Sequence, residues 1–421
     1  VKYACVINEY GSMNPEGNRV INIGDQIQLL AVMQLYKKLG IPEEDVVRIE
    51  YYDLFEYDGE ELLLPINFIW FNPFWGERPL ILSDKIRPIF LGIHCIGGEF
   101  TKDEIEYLRK YEPIGCRDEF TYDMLSNLGI RVYLHGCLTA TFPRRHNKGN
   151  CIYFVDADES LIKNCPHKME YKVLSHQIFS SGGCTHGETW EEYAQAVLNE
   201  YKENASLVVT SRLHCASPCM ALGIPVIFAP TKYASTFSWI HRYIPIYDKD
   251  NWNNIDWSPT VVEFEKYKER LIEHDCELIE NAFYNVPIKN EVENLLPSTP
   301  INYYPFRDLE MMWIEDFLKK VCSDTSVFKY ALWGVTQITA KTYKYISDNY
   351  PRAELVAVYD NNRNIEICGM QTKDIKHYDC NGVYLIATGN STSIAAKLLF
   401  EGKKWDSKFL CTCFEGKHQR G

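Results

Sequence analysis

Ala205-Ser-Leu-Val-Val-Thr210-Ser211-Arg212-Leu213-His214-Cys215-Ala-Ser-Pro218-Cys-Met-Ala-Leu-Gly223-Ile-Pro-Val226-Ile-Phe-Ala229 is the stretch that decides the fold. Its opening six residues are apolar and β-branched, the pattern of a buried strand. Residues 216–222 then read as a short helix, with Pro218 in its first turn and Gly223 as the stop. Val226–Ala229 reads as the next parallel strand. Strand, helix and parallel strand in so few residues specify an open α/β sheet, and ligands gather at the carboxyl ends of such strands. A helix N-terminus there offers unpaired N–H groups and partial positive charge to an anion. Arg212 and His214 therefore read as an anion site with a proton donor beside it.

The same alternation runs outward in both directions. Tyr3–Asn8 is a strand. After a glycine-bearing loop, Asp25 reads as the cap of a helix whose apolar face is Ile27, Leu30, Ala31, Leu35 and Leu39, ended by Gly40. Strands follow at 46–49, 89–93, 113–116 and 131–134, with helices at 103–110 and 119–128, the latter capped by Asp118. A second α/β unit begins after Pro143–Gly149, with strands at 151–155 and 171–174 and a helix at 190–201. Residues 230–260 read as aromatic loop, and 261–281 as a long helix. Helix 309–321 leads to strands at 328–333, 355–359 and 383–387, a small Rossmann-like module. The expected division is 1–146, 147–300, a linker helix over 301–326, and an accessory domain over 327–421. The βα repetition implies parallel sheets covered on both faces.

Composition narrows the function classes. The formal net charge is −13, which argues against binding nucleic acid through phosphate contacts. Residues 327–421 hold 13 Lys/Arg against 9 Asp/Glu, so the acid excess lies upstream and the tail reads as a separate module. Fifteen cysteines occur without a single C-x-x-C pair, and Cys5, Cys95 and Cys116 sit in apolar runs, which reads as free thiols in a reducing cytoplasm and not as a metal site. Val1–Asn8 reads as a strand and not a leader, and the most apolar stretch, 62–75, is broken by Pro65, Asn67, Asn72 and Pro73, so no membrane span is expected. In the tail, Gly334-Val-Thr-Gln-Ile-Thr-Ala340 stands where a dinucleotide-binding glycine loop would stand, with Asp360 beyond it. Two of the three glycines are missing, so nucleotide binding is disfavoured there, and an acceptor-docking, regulatory or oligomerising role is the better reading.

Three segments together resemble the polysaccharide pyruvyltransferase family. Asn22-Ile-Gly24-Asp25 is similar to its NxGD loop-to-helix motif, Gly115-Cys-Arg117-Asp118 with Leu125-Ser-Asn-Leu-Gly129 to its RD…LxxLG segment, and Arg212-Leu-His214…Gly223-Ile-Pro-Val226 to its RxH…GxPV signature. Gly136-Cys-Leu-Thr-Ala-Thr-Phe-Pro143 is similar to a segment of one branch of the family. The likeness covers roughly residues 1–300 and misses the tail.

The resemblance implies two Rossmann-like lobes of the GT-B glycosyltransferase type, with the active site between them. It also implies transfer of pyruvate from phosphoenolpyruvate onto two hydroxyls of a sugar, making a cyclic ketal in surface polysaccharide biosynthesis, with no cofactor and no metal. His214 is then the candidate general acid and Asp25 the acceptor of a hydroxyl proton. Arg117, Arg212, Lys232, Ser211 and the Leu213 N–H line the donor side, with Arg117 gripping phosphate bidentately. Asn22 and Gly24 line the acceptor side. The implied partners are phosphoenolpyruvate and a lipid-linked or nucleotide-linked glycan, in the cytoplasm or at the inner membrane face. The acceptor sugar and the oligomeric state, homo-oligomer included, stay open. Two rivals stand beside this reading: a nucleotide-sugar glycosyltransferase on the same fold, and a catalytically silent sugar-binding or scaffolding protein. His135, His146, His176 and His186 lack ligand spacing and read as surface or packing residues, and Arg144-Arg145 as part of a polar linker.

Overall fold

A computed structural model describes residues 1–13, 19–71, 81–95, 100–179, 189–231, 233–287, 293–296, 318, 327–335, 337–360, 366–374, 383–387 and 409–411. The chain separates into two compact units. One comprises residues 1–71, 75–95 and 102–299, and the other residues 300–421 with 72–74 and 96–101.

In chain order, the first unit runs β1 Lys2–Ile7, β2 Ser12–Met13, β3 Arg19–Asn22, α1 Ile23–Lys38, β4 Val46–Glu50, β5 Leu62–Ile66, β6 Ile69–Phe71, β7 Ile86–Phe90 and β8 His94–Cys95. It continues with α2 Lys102–Lys110, β9 Ile114–Cys116, α3 Glu119–Asn127, β10 Val132–Leu134, β11 Cys151–Val155, α4 Glu159–Asn164, β12 Tyr171–Leu174 and β13 Gln177–Phe179. Helix α5 Trp190–Asn204, β14 Ala205–Thr210, α6 Leu213–Ala221, β15 Val226–Phe228 and α7 Glu265–Phe283 complete it.

Two parallel sheets organise these elements. One has the order β4-β1-β5-β7 and continues through an Ile93–Cys116 bridge into the parallel pair β9-β10. The other is β12-β11-β14-β15. Two of the central strands, β5 and β11, are buried throughout, which is why Leu62–Ile66 and Cys151–Val155 read as unbroken apolar runs. Pro65 is tolerated inside β5 because pairing with β1 ends at Leu63, so its missing N–H withdraws nothing from that ladder. A small antiparallel sheet, β13-β3-β2, pairs Gln177 with Asn22 and so ties the loop after β12 to the start of α1.

Two features differ from expectation at the helix starts. Asn22, not Asp25, caps α1: its side-chain oxygen accepts the Gly24 N–H at 3.1 Å, and Asp25 lies one turn in. The helix is also buried on more than one face, with Leu29, Val32 and Tyr36 enclosed as well as Ile27 and Leu30, because it packs against α5, α6, α7 and β1 at once. Helix α6 begins at Leu213, earlier than its apolar pattern suggests, which places Pro218 in its interior and His214 inside the helix. His214 departs from helical geometry (φ −82°, ψ 19°), so the first turn is kinked. Asp118 caps α3 as read, its carboxylate accepting the Thr121 N–H at 2.9 Å. Arg145 is no surface linker residue: it is buried and donates to the Ala205 carbonyl at 2.5 Å, while Arg144 pairs with Glu263 at 2.8 Å.

In the second unit, strands Glu354–Tyr359, Lys329–Trp333, Val383–Ala387 and Phe409–Cys411 form a parallel sheet in that spatial order, with helix Gln337–Asn349 after the central strand. Asp360 spends its carboxylate on the Val335 N–H at 2.8 Å, closing the Gly334 loop. Of the helix read over 309–321, only Leu318 falls among the described residues. The described chain is thus mixed α/β with several parallel sheets.

Candidate active site

The turn after β14 is fixed from below. The Thr210 hydroxyl donates to the Val155 carbonyl and accepts the Arg212 N–H, both at 3.0 Å. Ser211 Oγ donates to the Asp156 carbonyl at 2.7 Å, and Arg212 Nε donates to Asp156 Oδ2 at 2.8 Å. Asp156 stands at the carboxyl end of β11 with φ +48°, a left-handed conformation that Asp accepts more readily than most residues. Its carboxylate also takes Ser175 Oγ at 2.5 Å and the His176 N–H at 3.0 Å. Neither terminal amino group of Arg212 makes a hydrogen bond among the described residues. The same holds for the N–H groups of Leu213 and His214 at the head of α6.

His214 meets the start of α1. A Cβ built on Gly24 would lie 3.1 Å from His214 Nδ1, 3.1 Å from His214 Cβ and 3.1 Å from Asn22 Oδ1, so the two motifs touch and a larger residue here must displace one of them by a few tenths of an ångström. Among the described residues, His214 Nε2 is buried without a partner. Burial, then the Arg117 cation, then His176 and His94, hold the imidazole well below its ordinary range, so it is neutral at pH 7.

Asp25 follows Gly24 on α1, accepting Asn22 Nδ2 at 2.9 Å and Asn8 Nδ2 at 3.2 Å. Burial pushes its carboxyl up to about 6, against the two hydrogen bonds and the Arg117 charge that pull it down. Arg117 thus acts electrostatically on both Asp25 and His214. Its side chain, however, is 2% exposed and partly engaged: Nε donates to the Gly92 carbonyl at 3.0 Å and Nη2 to the Asn67 carbonyl. The Nε and Nη2 edge of the guanidinium, which would grip a phosphate bidentately, is thus occupied by backbone carbonyls in this structure. Gly92 itself has φ +80°, and a Cβ there would meet the Gly136 carbonyl at 2.4 Å.

Several residues of this neighbourhood were not legible in the sequence. His94 pairs with Asp118 at 2.6 Å, both buried. His176 is a packing residue, buried: Nε2 meets Tyr201 OH at 2.9 Å, its carbonyl accepts the Ile23 N–H at 2.8 Å, and burial pushes its imidazole down to about 4. His135 is likewise interior, paired with Asp275 at 2.9 Å. Asp156 had one signal, its place at the end of a strand. Lys232 and His186 lie outside the described residues. The Gly136–Pro143 segment forms a short 3₁₀ turn, Leu138–Thr141, packed on α1 and α6, with Thr139 Oγ1 bonded to Ser217 Oγ at 2.7 Å.

Among the described residues no three His, Cys, Asp or Glu side chains converge to hold a metal ion, and no helix is long and apolar enough to cross a membrane. The arrangement combines oriented N–H groups, two arginines, a neutral imidazole and a carboxyl poised near neutrality. It suits binding of a small anion and proton exchange beside it.

No curated protein gives a significant match. One similar solved structure is that of a functionally uncharacterized protein from Klebsiella pneumoniae subsp. pneumoniae NTUH-K2044, 15% identical, covering 56% of this chain and 86% of that one with a TM-score of 0.32. The family model for polysaccharide pyruvyl transferase matches residues 22–233, a span that takes in the Asn22–Asp25, Arg117-Asp118 and Arg212–His214 segments. Half the chain matches, and the chain belongs to the polysaccharide pyruvyl transferase family.

Proposed function

We propose that the protein transfers pyruvate from phosphoenolpyruvate onto a pair of sugar hydroxyls, forming a cyclic ketal and releasing phosphate during surface polysaccharide synthesis. The observation that carries this reading is the contact between Gly24 and His214, with Asp25 and the buried Arg117 charge in the same neighbourhood.

The reaction needs no change of oxidation state. A proton adds to the methylene carbon of the enol phosphate, a sugar hydroxyl attacks C2 and loses its proton, and the C2–O bond to phosphate breaks. The second hydroxyl then attacks C2 to close the ring, and its proton leaves with the phosphate. Arg212 and the Leu213 and His214 N–H groups bind the anion, and the Arg117 charge supports them at a distance. His214, neutral in the free protein, takes up a proton as the anion arrives, because a nearby negative charge favours the imidazolium, and then delivers it to carbon. Asp25, near neutrality, accepts the proton of the attacking hydroxyl, and Asn22 orients the acceptor. Ser211 serves by holding the turn, since its hydroxyl is already spent on Asp156. Lys232 adds a cation to the donor side. A GT-B-like arrangement of the two parallel sheets and a cytoplasmic acceptor, lipid-linked or nucleotide-linked, complete the proposal.

The test is incubation of the purified protein with phosphoenolpyruvate and a panel of glycosides, following phosphate release. His214→Ala is expected to abolish release while the melting temperature holds, since the lost Nε2 has no partner to leave behind. Release that persists in the variant rejects the assignment.

A further inference from the structure

We propose that Asp156 is a positioning residue for this transfer, fixing the Arg212 guanidinium by its Nε so that both terminal amino groups are left for the anionic donor. The inference rests on the pyruvyl-transfer reading. It starts from an oxygen that serves two masters: Asp156 Oδ2 accepts Arg212 Nε at 2.8 Å and the His176 N–H at 3.0 Å. The His176 carbonyl in turn accepts the Ile23 N–H at 2.8 Å, and Ile23 follows the Asn22 cap. One carboxylate thus sets the donor-side arginine relative to the loop that carries Asn22, Gly24 and Asp25. The left-handed backbone of Asp156 and the Ser175 Oγ bond at 2.5 Å hold the carboxylate itself in place. A guanidinium held at Nε offers its far edge as a fork, the geometry that matches carboxylate and phosphate.

Charge and position make opposite forecasts here. Asp156→Gly removes a negative charge next to the anion site, so electrostatics alone tightens anion binding. Loss of positioning loosens it. Glycine adopts the left-handed backbone without strain, so the fold survives the change, and it leaves Arg212 Nε no acceptor. In the full-length protein, the KM for phosphoenolpyruvate is expected to rise about 10- to 100-fold in Asp156→Gly, the range that misplacing a binding group costs. Arg212→Lys, which keeps the charge and loses the fork, is expected to do the same. The double variant should be no worse than Arg212→Lys alone, because both changes remove one interaction. The wild type is expected to show a slowly exchanging Arg212 Nε–H resonance that vanishes in Asp156→Gly. A KM that is unchanged or lower in Asp156→Gly, or no such resonance in the wild type, overturns the proposal. If the wild type releases no phosphate from phosphoenolpyruvate, the transfer reading itself has failed. Inorganic phosphate then serves as probe: weaker calorimetric binding in Asp156→Gly keeps the positioning role, and equal binding ends it.

Discussion

Replacing Gly24 by alanine separates the site from the fold. The added methyl would sit 3.1 Å from three atoms, two of them on His214, where ordinary contact begins near 3.4 Å. Something must move by about 0.3 Å, a displacement small on the scale of packing adjustments. Asn22 is held by its capping bond to Gly24 and its bond to Asp25, so the imidazole is the group that gives way. Misplacing a reacting group by about 1 Å costs about 100-fold in rate, so a shift of this size should cost about four- to tenfold. Stability runs the other way. Alanine is up to about 1 kcal/mol better than glycine in a helix, which offsets the crowding and leaves a net change within about 1 kcal/mol. Steady-state phosphate release and a thermal melt on the same preparation read both quantities. Wild-type turnover in Gly24→Ala would refute the idea that this contact aligns the chemistry. A large melting loss would show that Gly24 serves packing alone.

Other expectations follow from the same geometry. His176 and His214 are held below their unfolded value, so the unfolded chain binds their protons first: stability is complete above about pH 6.5 and falls below it, for His176 down to about pH 4. His176 alone accounts for about 3 kcal/mol of that loss, and denaturant melts of His176→Gln should show a correspondingly shallower acid slope. Gly136 has φ +86° and a Cβ there would lie 2.2 Å from Tyr267 OH, so Gly136→Ala should destabilise by about 2–4 kcal/mol in urea melts. Arg117→Met should raise the His214 pKa, because it removes a cation that lowers it; a histidine NMR titration that stays put would contradict the field assigned to Arg117.

Much of the fold was legible because parallel strands announce themselves as short apolar runs between caps. Asp118 and the strand at 171–174 fall where they were read. The start of α1 was misread by one candidate: Asn22 and Asp25 are both good capping types, and only the direction of the Asn22 side chain decides between them. The site was half legible. Motifs marked Gly24, Arg117 and His214, but not that Arg117 is committed to the Gly92 and Asn67 carbonyls. His176 and Asp156 escaped because their significance lies in partners far along the chain: Arg212, Ile23 and Tyr201. No local pattern encodes such pairs.

In the proposed reaction Arg212, His214 and the Asn22–Asp25 loop form one centre for pyruvyl transfer. Mass spectrometry of the acceptor, run alongside phosphate release, tests it most directly. One pyruvyl ketal on the sugar is expected for every phosphate freed, and neither product from His214→Ala. Phosphate freed without a ketal, or a ketal formed equally well without His214, would contradict it.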